Sequence, residues 1–191
     1  TPAAAIGQRL ANGRWIILHE IVTEDMGLER FGTQLLAELN ARYPKAQVLI
    51  WGDPAGMQRD AIYEVTAFDY LRTLGLRAQP TASNNFKVRR EGAAAPMQRL
   101  INGKPGLIIN TACKMIRKSL AGGYHFKRIA VGAGHERFKD SPNKNEHSHI
   151  GDAFGYLMLG GGEHKRMTKN SLASNTLIVQ TIATSDFDVF K

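Results

Sequence analysis

Two periods of apolar and polar residues alternate along the chain, and the points where one gives way to the other mark out its elements. "TPAAAIGQRL" and "GRWIILHEIV" are β-type runs separated by Asn12-Gly13, a pair that readily supplies the positive φ angles of a type I′ hairpin turn. In "GLERFGTQLLAELNARY" the residues Leu28, Phe31, Leu35, Leu36 and Leu39 recur at helical spacing, and the pattern stops before Pro44. "AQVLIW" is a continuous apolar run of the kind an interior strand carries, and it ends abruptly in Gly52-Asp53-Pro54. "RDAIYEVTAFDYLRTLG" predicts a helix with Gly75 as its C-cap, and "LRAQPTAS" a short edge strand interrupted by Pro80.

Farther along, "NNFKVRREGAAAPMQRLING" predicts helix in parts, broken near Gly92 or Pro96. "GLIINT" reads as a strand, "ACKMIRKSLAG" as a helix, and "GYHFKRIAVGAGHERFKD" as a hairpin turned near Gly132-Ala133-Gly134. In "HSHIGDAFGYLML" the residues Ile150, Ala153, Phe154 and Leu157 share one helical face. "GGGEHKRMTKNSLASNT" then reads as a flexible basic linker, and "TLIVQTIATS" as a strand or docking segment. A hairpin followed by alternating helices and strands implies an α/β domain over residues 1–159, with a mixed central β-sheet flanked by helices, and a tail over 160–191.

With 191 residues, 43% of them apolar, the chain has the size and composition of one packed domain. Charge adds a partner class. Lys and Arg number 25 against 17 Asp and Glu, and the net charge of +8 favours a polyanion such as nucleic acid. A single cysteine, Cys113, excludes an internal disulfide and a multi-cysteine zinc site, and none of the six histidines has a zinc-type spacing with it. Cys113 reads as a small buried hydrophobe rather than a nucleophile. The absence of a signal peptide or long apolar span points to a soluble intracellular protein without a membrane partner.

Candidate chemistry rests on two acids. Asp53 ends the third strand, and Asp152 lies in the last amphipathic helix. Strand ends are where ligand sites collect in α/β sheets, so a helix crossing that edge would bring the two carboxylates together. Mg²⁺ or Mn²⁺ would compensate their charge, and two such ions would activate water against a phosphodiester. The structural alternative is that Asp53 forms a turn and Asp152 caps a helix. His149, three residues before Asp152, either supports that acid from the same helix face or simply starts the helix. Asp60 and Glu64 read as solvated helix positions. Three basic clusters are candidates for phosphate contact or plain solvated faces: Lys87, Arg89 and Arg90; Lys114, Arg117 and Lys118; and Arg137, Lys139 and Lys144. The loop over residues 132–146 is the expected DNA-facing element.

The stretch "SPNKNEHSHIGDAFGYLMLG" resembles the end of the nuclease domain of tailed-bacteriophage large terminases, through Pro142, Lys144, Asn145, Ser148, His149, Asp152, Ala153 and Tyr156. "WGDPAG" is similar to that family's second-acid motif, and "NGKPGLIINTACKMIRKSLAGGYHFKR" to the region joining the two; the likeness spans residues 1 to about 160. The resemblance implies a ribonuclease H-like fold and two-metal cleavage of concatemeric double-stranded DNA at the start and end of packaging, with Asp53 and Asp152 as metal-binding acids. It also implies a first acid just upstream of Thr1-Pro2, without which at least one metal would bind weakly. As partners it implies an ATPase domain on another part of the polypeptide, a small terminase subunit and a portal protein, all in the host cell cytoplasm. A resolvase- or integrase-type nuclease and a non-catalytic DNA or portal docking module are the alternatives.

Overall fold

The computed structural model of the chain describes residues 2–59, 64–130 and 136–163. Strands β1 (Ala3–Arg9) and β2 (Trp15–Val22) form the expected antiparallel hairpin, but its turn is of a different kind. Within the loop Gly13 alone has a positive φ, 87°. Gly13 N–H donates to the Leu10 carbonyl and Leu10 N–H to that of Arg14, both at 2.8 Å. This is a three-residue type I loop closed by a left-handed glycine. Asn12 stays right-handed because its side chain is otherwise engaged, Oδ1 accepting from Arg14 N–H at 3.0 Å.

A bulge in β2 decides which core each of its side chains joins. Ile6 pairs with His19 and Gly7 with Ile17, so Leu18 is an extra residue on β2 and the inward face changes parity there. Before the bulge, Trp15 and Ile17 enter one core with Cys113, Ile116, Ile150, Phe154 and Met158. After it, Ile21 enters the opposite core with Phe31, Leu35, Leu39, Phe68 and Leu71. Cys113 is fully buried and its thiol is pushed up to about 11 by that burial, so it packs as a hydrophobe.

Helix α1 (Leu28–Arg42) follows its apolar stripe as expected and packs on the second of these cores. β3 (Ile50–Gly52) and β4 (Ala78–Pro80) pair in parallel, joined through a 3₁₀ turn at Pro54–Met57 and helix α2 (Ala67–Thr73). The helix expected from residue 59 starts only at Ala67, because Thr66 caps it by accepting from Asp69 N–H at 3.0 Å. Glu64 is consequently a loop residue with φ of 52° rather than a helical one; Asp60 lies outside the described residues.

Helix α3 (Phe86–Gln98) runs unbroken through Gly92 and Pro96, against expectation. Pro96 sits in the last turn, where it removes one hydrogen bond, and complete burial of its ring offsets that loss. A small hairpin follows, β5 (Leu100–Ile101) with β6 (Lys104–Pro105). Its connection, Asn102-Gly103, has φ of 52° and 73°, the type I′ geometry expected at Asn12-Gly13. β7 (Leu107–Ile109) pairs in parallel with β2, giving a mixed sheet of order β1-β2-β7.

Helix α4 (Lys114–Lys118) continues into a π-helical turn at Ser119–Gly123. Two N–H groups of its first turn, which have no partner within the helix, are satisfied from the sheet: Glu20 carboxylate oxygens accept from Met115 N–H at 2.8 Å and Ile116 N–H at 2.7 Å. β8 (Phe126–Ala130) and β9 (Glu136–Pro142) form the expected antiparallel hairpin, whose turn lies outside the described residues. Helix α5 (Ser148–Gly160) closes the fold, packing on α3, β1 and β3. The result is a mixed α/β body with helices on both faces of the sheet.

The body extends past the expected boundary at 159. Glu163 is fully buried, accepting from Trp15 Nε1 at 2.8 Å and from both terminal nitrogens of Arg99 at 3.1 Å, with Arg9 Nε at 3.9 Å. Residues 164–191, which hold the rest of the expected tail and its docking segment, lie outside the described residues. No described helix is long and apolar enough to cross a membrane.

Candidate functional site

β1 and β3 do not pair. They face each other across a cavity of about 360 Å³ whose lining includes Ala4, Ile6, Ile50 and Trp51 along its walls. Asp53, immediately after β3, and Asp152, from the first half of α5, line the same cavity, together with His149 and Tyr156. The fold thus brings together the two acids singled out in the sequence.

Each acid is already engaged. Asp53 is exposed and its Oδ1 accepts from Ala55 N–H at 2.9 Å, so it does cap the turn that Pro54 begins. It also hydrogen-bonds Tyr156, and burial followed by this bond raises the Tyr156 hydroxyl well above its ordinary range. Asp152 holds more partners. Arg89 Nη1 donates to its Oδ1 at 2.5 Å, Tyr124 Oη to the same oxygen at 3.0 Å, and Lys144 Nζ to Oδ2 at 2.6 Å. Burial, then the charge and hydrogen bond of Asp152, raise the Tyr124 hydroxyl too, so both tyrosines act as neutral donors.

Arg89 joins the two halves. Its guanidinium stacks 4.6 Å from the centre of the Tyr156 ring while it grips Asp152, and its side chain is 10% exposed. The basic cluster "FKVRRE" therefore divides: Arg89 faces inward as a partner of the acid, not outward as a phosphate contact, while Lys87 and Arg90 are exposed. Lys144 is 66% exposed and sits over Tyr124, so of the three partners it is the one able to swing into solvent. His149 is exposed at the cavity mouth, where desolvation of its ring, with Lys144 adding to it, holds the imidazole below its ordinary value.

Arg137 and Lys139 are exposed on β9, and Lys114, Arg117 and Lys118 on α4. Of the expected DNA-facing loop, residues 132–135 lie outside the described residues. Sequence reasoning missed Tyr124, which sits between two glycine-rich stretches with no periodic signal, and it read Tyr156 only as part of a motif. Among the described residues no group of three or more His, Cys, Asp or Glu side chains converges as a metal site would require. Comparison of the chain with family profiles, with curated proteins and with solved structures finds no match.

Proposed function

We propose that this chain is a metal-dependent endonuclease domain with a ribonuclease H-like fold, acting on double-stranded DNA in genome packaging as the nuclease domains of phage large terminases do. The observation that carries this reading is the shared cavity of Asp53 and Asp152, two carboxylates from distant parts of the chain brought to the end of β3. The strand arrangement supports it. An antiparallel β1-β2 hairpin stands beside a parallel β3-β4 pair, and α5 delivers an acid at the junction.

The donor set fits a hard cation in kind, since both acids offer oxygen ligands, and it would hold one ion more readily than two. A third acid, as the resemblance implies upstream of Thr1, would complete a two-ion site. Mg²⁺ or Mn²⁺ bound by Asp53 and Asp152 would supply the positive charge and the activated water for phosphodiester hydrolysis. The chain's own residues aim the acids: Arg89 and Tyr124 fix Asp152, and Tyr156 with Ala55 N–H fixes Asp53. Lys144 neutralises Asp152 from the solvent side, a role a bound cation would take over, leaving the exposed ammonium free to meet a substrate phosphate.

Cleavage of supercoiled plasmid in Mn²⁺, Mg²⁺ or EDTA tests the reading. The parent should cut only with metal, the more strongly when the chain is extended upstream through the expected first acid. Asp53→Asn and Asp152→Asn should each abolish cutting while leaving duplex binding in place. Cutting in EDTA, or by both Asn variants, would overturn it. A second reading, a module that grips DNA without cutting it, draws on the full set of partners on Asp152 and the turn-capping bond of Asp53. It leads if both chain lengths bind duplex DNA and neither cuts.

A further inference from the structure

Beside the acid site lies a second groove, of about 600 Å³, between the start of α3 and the β8–β9 hairpin. Phe86, Phe126 and Phe138 line it with Lys87, Arg90 and Lys139, and among the described residues no acid does. Phe138 is 53% exposed, a large apolar ring held toward water. Phe86 meets Phe126 edge to face at 5.4 Å, which braces one aromatic wall. Arg90 pairs with the neighbouring Glu91 at 2.7 Å, an exposed contact that a phosphate can displace at little cost.

From this groove we infer a binding site for an unpaired nucleic-acid strand, with a base stacked on Phe138 and backbone phosphates on Lys87, Arg90 and Lys139. The combination decides the occupant. Cations alone serve any polyanion, and duplex DNA, its bases already stacked inside, has no use for a solvent-facing phenyl ring. A single strand presents both a phosphate track and free π-faces. Arg137, on the same strand, does not line the groove and is left for general phosphate contact.

The groove communicates with the acids through Phe86, whose ring centre lies 5.7 Å from the guanidinium of Arg89, a partner of Asp152. Phe86 also packs edge to face on Tyr124 at 5.7 Å, and Tyr124 donates to Asp152. An unpaired strand seated here lies next to the proposed cleavage site, so the preferred substrate is DNA with a frayed or displaced strand at the point of cutting. This last step rests on the nuclease reading; the binding of the strand does not.

Fluorescence anisotropy in EDTA, with a labelled oligothymidylate and a duplex of equal length, tests the inference apart from cleavage. Phe138→Ala should weaken single-strand binding roughly ten-fold and leave duplex binding nearly unchanged, with Phe138→Trp restoring it. Removing Lys87 and Lys139 should flatten the salt dependence of single-strand binding by about 0.7 in slope for each lysine replaced. Because Phe138 is largely exposed, its truncation does not threaten the fold. Equal effects of Phe138→Ala on both ligands, or none on either, would overturn the groove assignment. A chain that binds the strand as described yet never cuts plasmid keeps this site and loses only the nuclease reading.

Discussion

Asp152 is the residue on which chemistry and stability conflict most directly. Its carboxylate is the acceptor for a guanidinium that is itself largely buried, so removing it strands a positive charge away from water. We expect Asp152→Ala to destabilise the domain by about 2 to 4 kcal/mol, somewhat below the range for a fully buried pair because Lys144 keeps one side of the site solvated. Asp152→Asn retains an acceptor for Arg89 and Tyr124 and should cost about 1 kcal/mol. Urea unfolding of the two variants measures this directly, and equal midpoints for both would refute the account. Asparagine is therefore the substitution for testing cleavage. At this scale the sequence was informative about the acids and silent about what holds them. An acid after an apolar run and before proline is conspicuous, whereas Arg89 sits in a basic run where nothing separates the inward arginine from its outward neighbours. Tyr124 and Tyr156 acquire their roles only when the chain folds back.

Between elements, the relation of α5 to β3 sets the distance between the two acids, and it is fixed by close packing at the end of the helix. Gly160 lies flat against the Trp51 ring, so that a Cβ added there would fall among the indole atoms. Trp51 is two residues from Asp53, on the strand that carries it to the cavity. Gly160→Ala must either displace Trp51 or lift α5. We expect a loss of about 1 to 3 kcal/mol, a melting temperature lowered by several degrees, and cleavage reduced more than DNA binding. Unchanged melting and unchanged cleavage would show that the helix end is free to adjust. Helix α1 was legible because a single face of it is apolar over several turns, and α5 because apolar residues recur along its whole length, where it is packed on nearly every side. Turn types were not. The same Asn-Gly pair forms a type I′ turn at residues 102–103 and not at 12–13, where Asn12 uses its side chain to close a longer loop. Pro96 ends no helix because its ring is buried at the last turn.

Across the whole molecule two kinds of electrostatics coexist, and salt should separate them. The exposed cations on α3, α4 and β9 contribute to the net charge of +8; they meet a polyanion through solvent and are screened within about 10 Å at moderate ionic strength. Glu163 is the opposite case. It is fully buried and gathers Trp15 from β2, Arg99 from the end of α3 and Arg9 from the end of β1 onto the segment that follows α5, so one carboxylate ties the sheet to two helices. Nothing in the sequence hints at it, since Glu163 follows a run of glycines that reads as the start of a linker, and its three partners are remote in the chain. Removing one member of such a network leaves the remaining charges without compensation in a poorly solvated place. We expect Glu163→Ala to cost about 3 to 5 kcal/mol and Glu163→Gln somewhat less, read as a shift in the urea midpoint at unchanged slope. The loss should be nearly the same in low and high salt, while DNA binding by the parent chain falls steeply over that range. A Glu163 effect that vanishes in high salt would place its network with the surface charges instead. One that persists identifies it as the joint that holds α5, and with it Asp152, in register with the sheet.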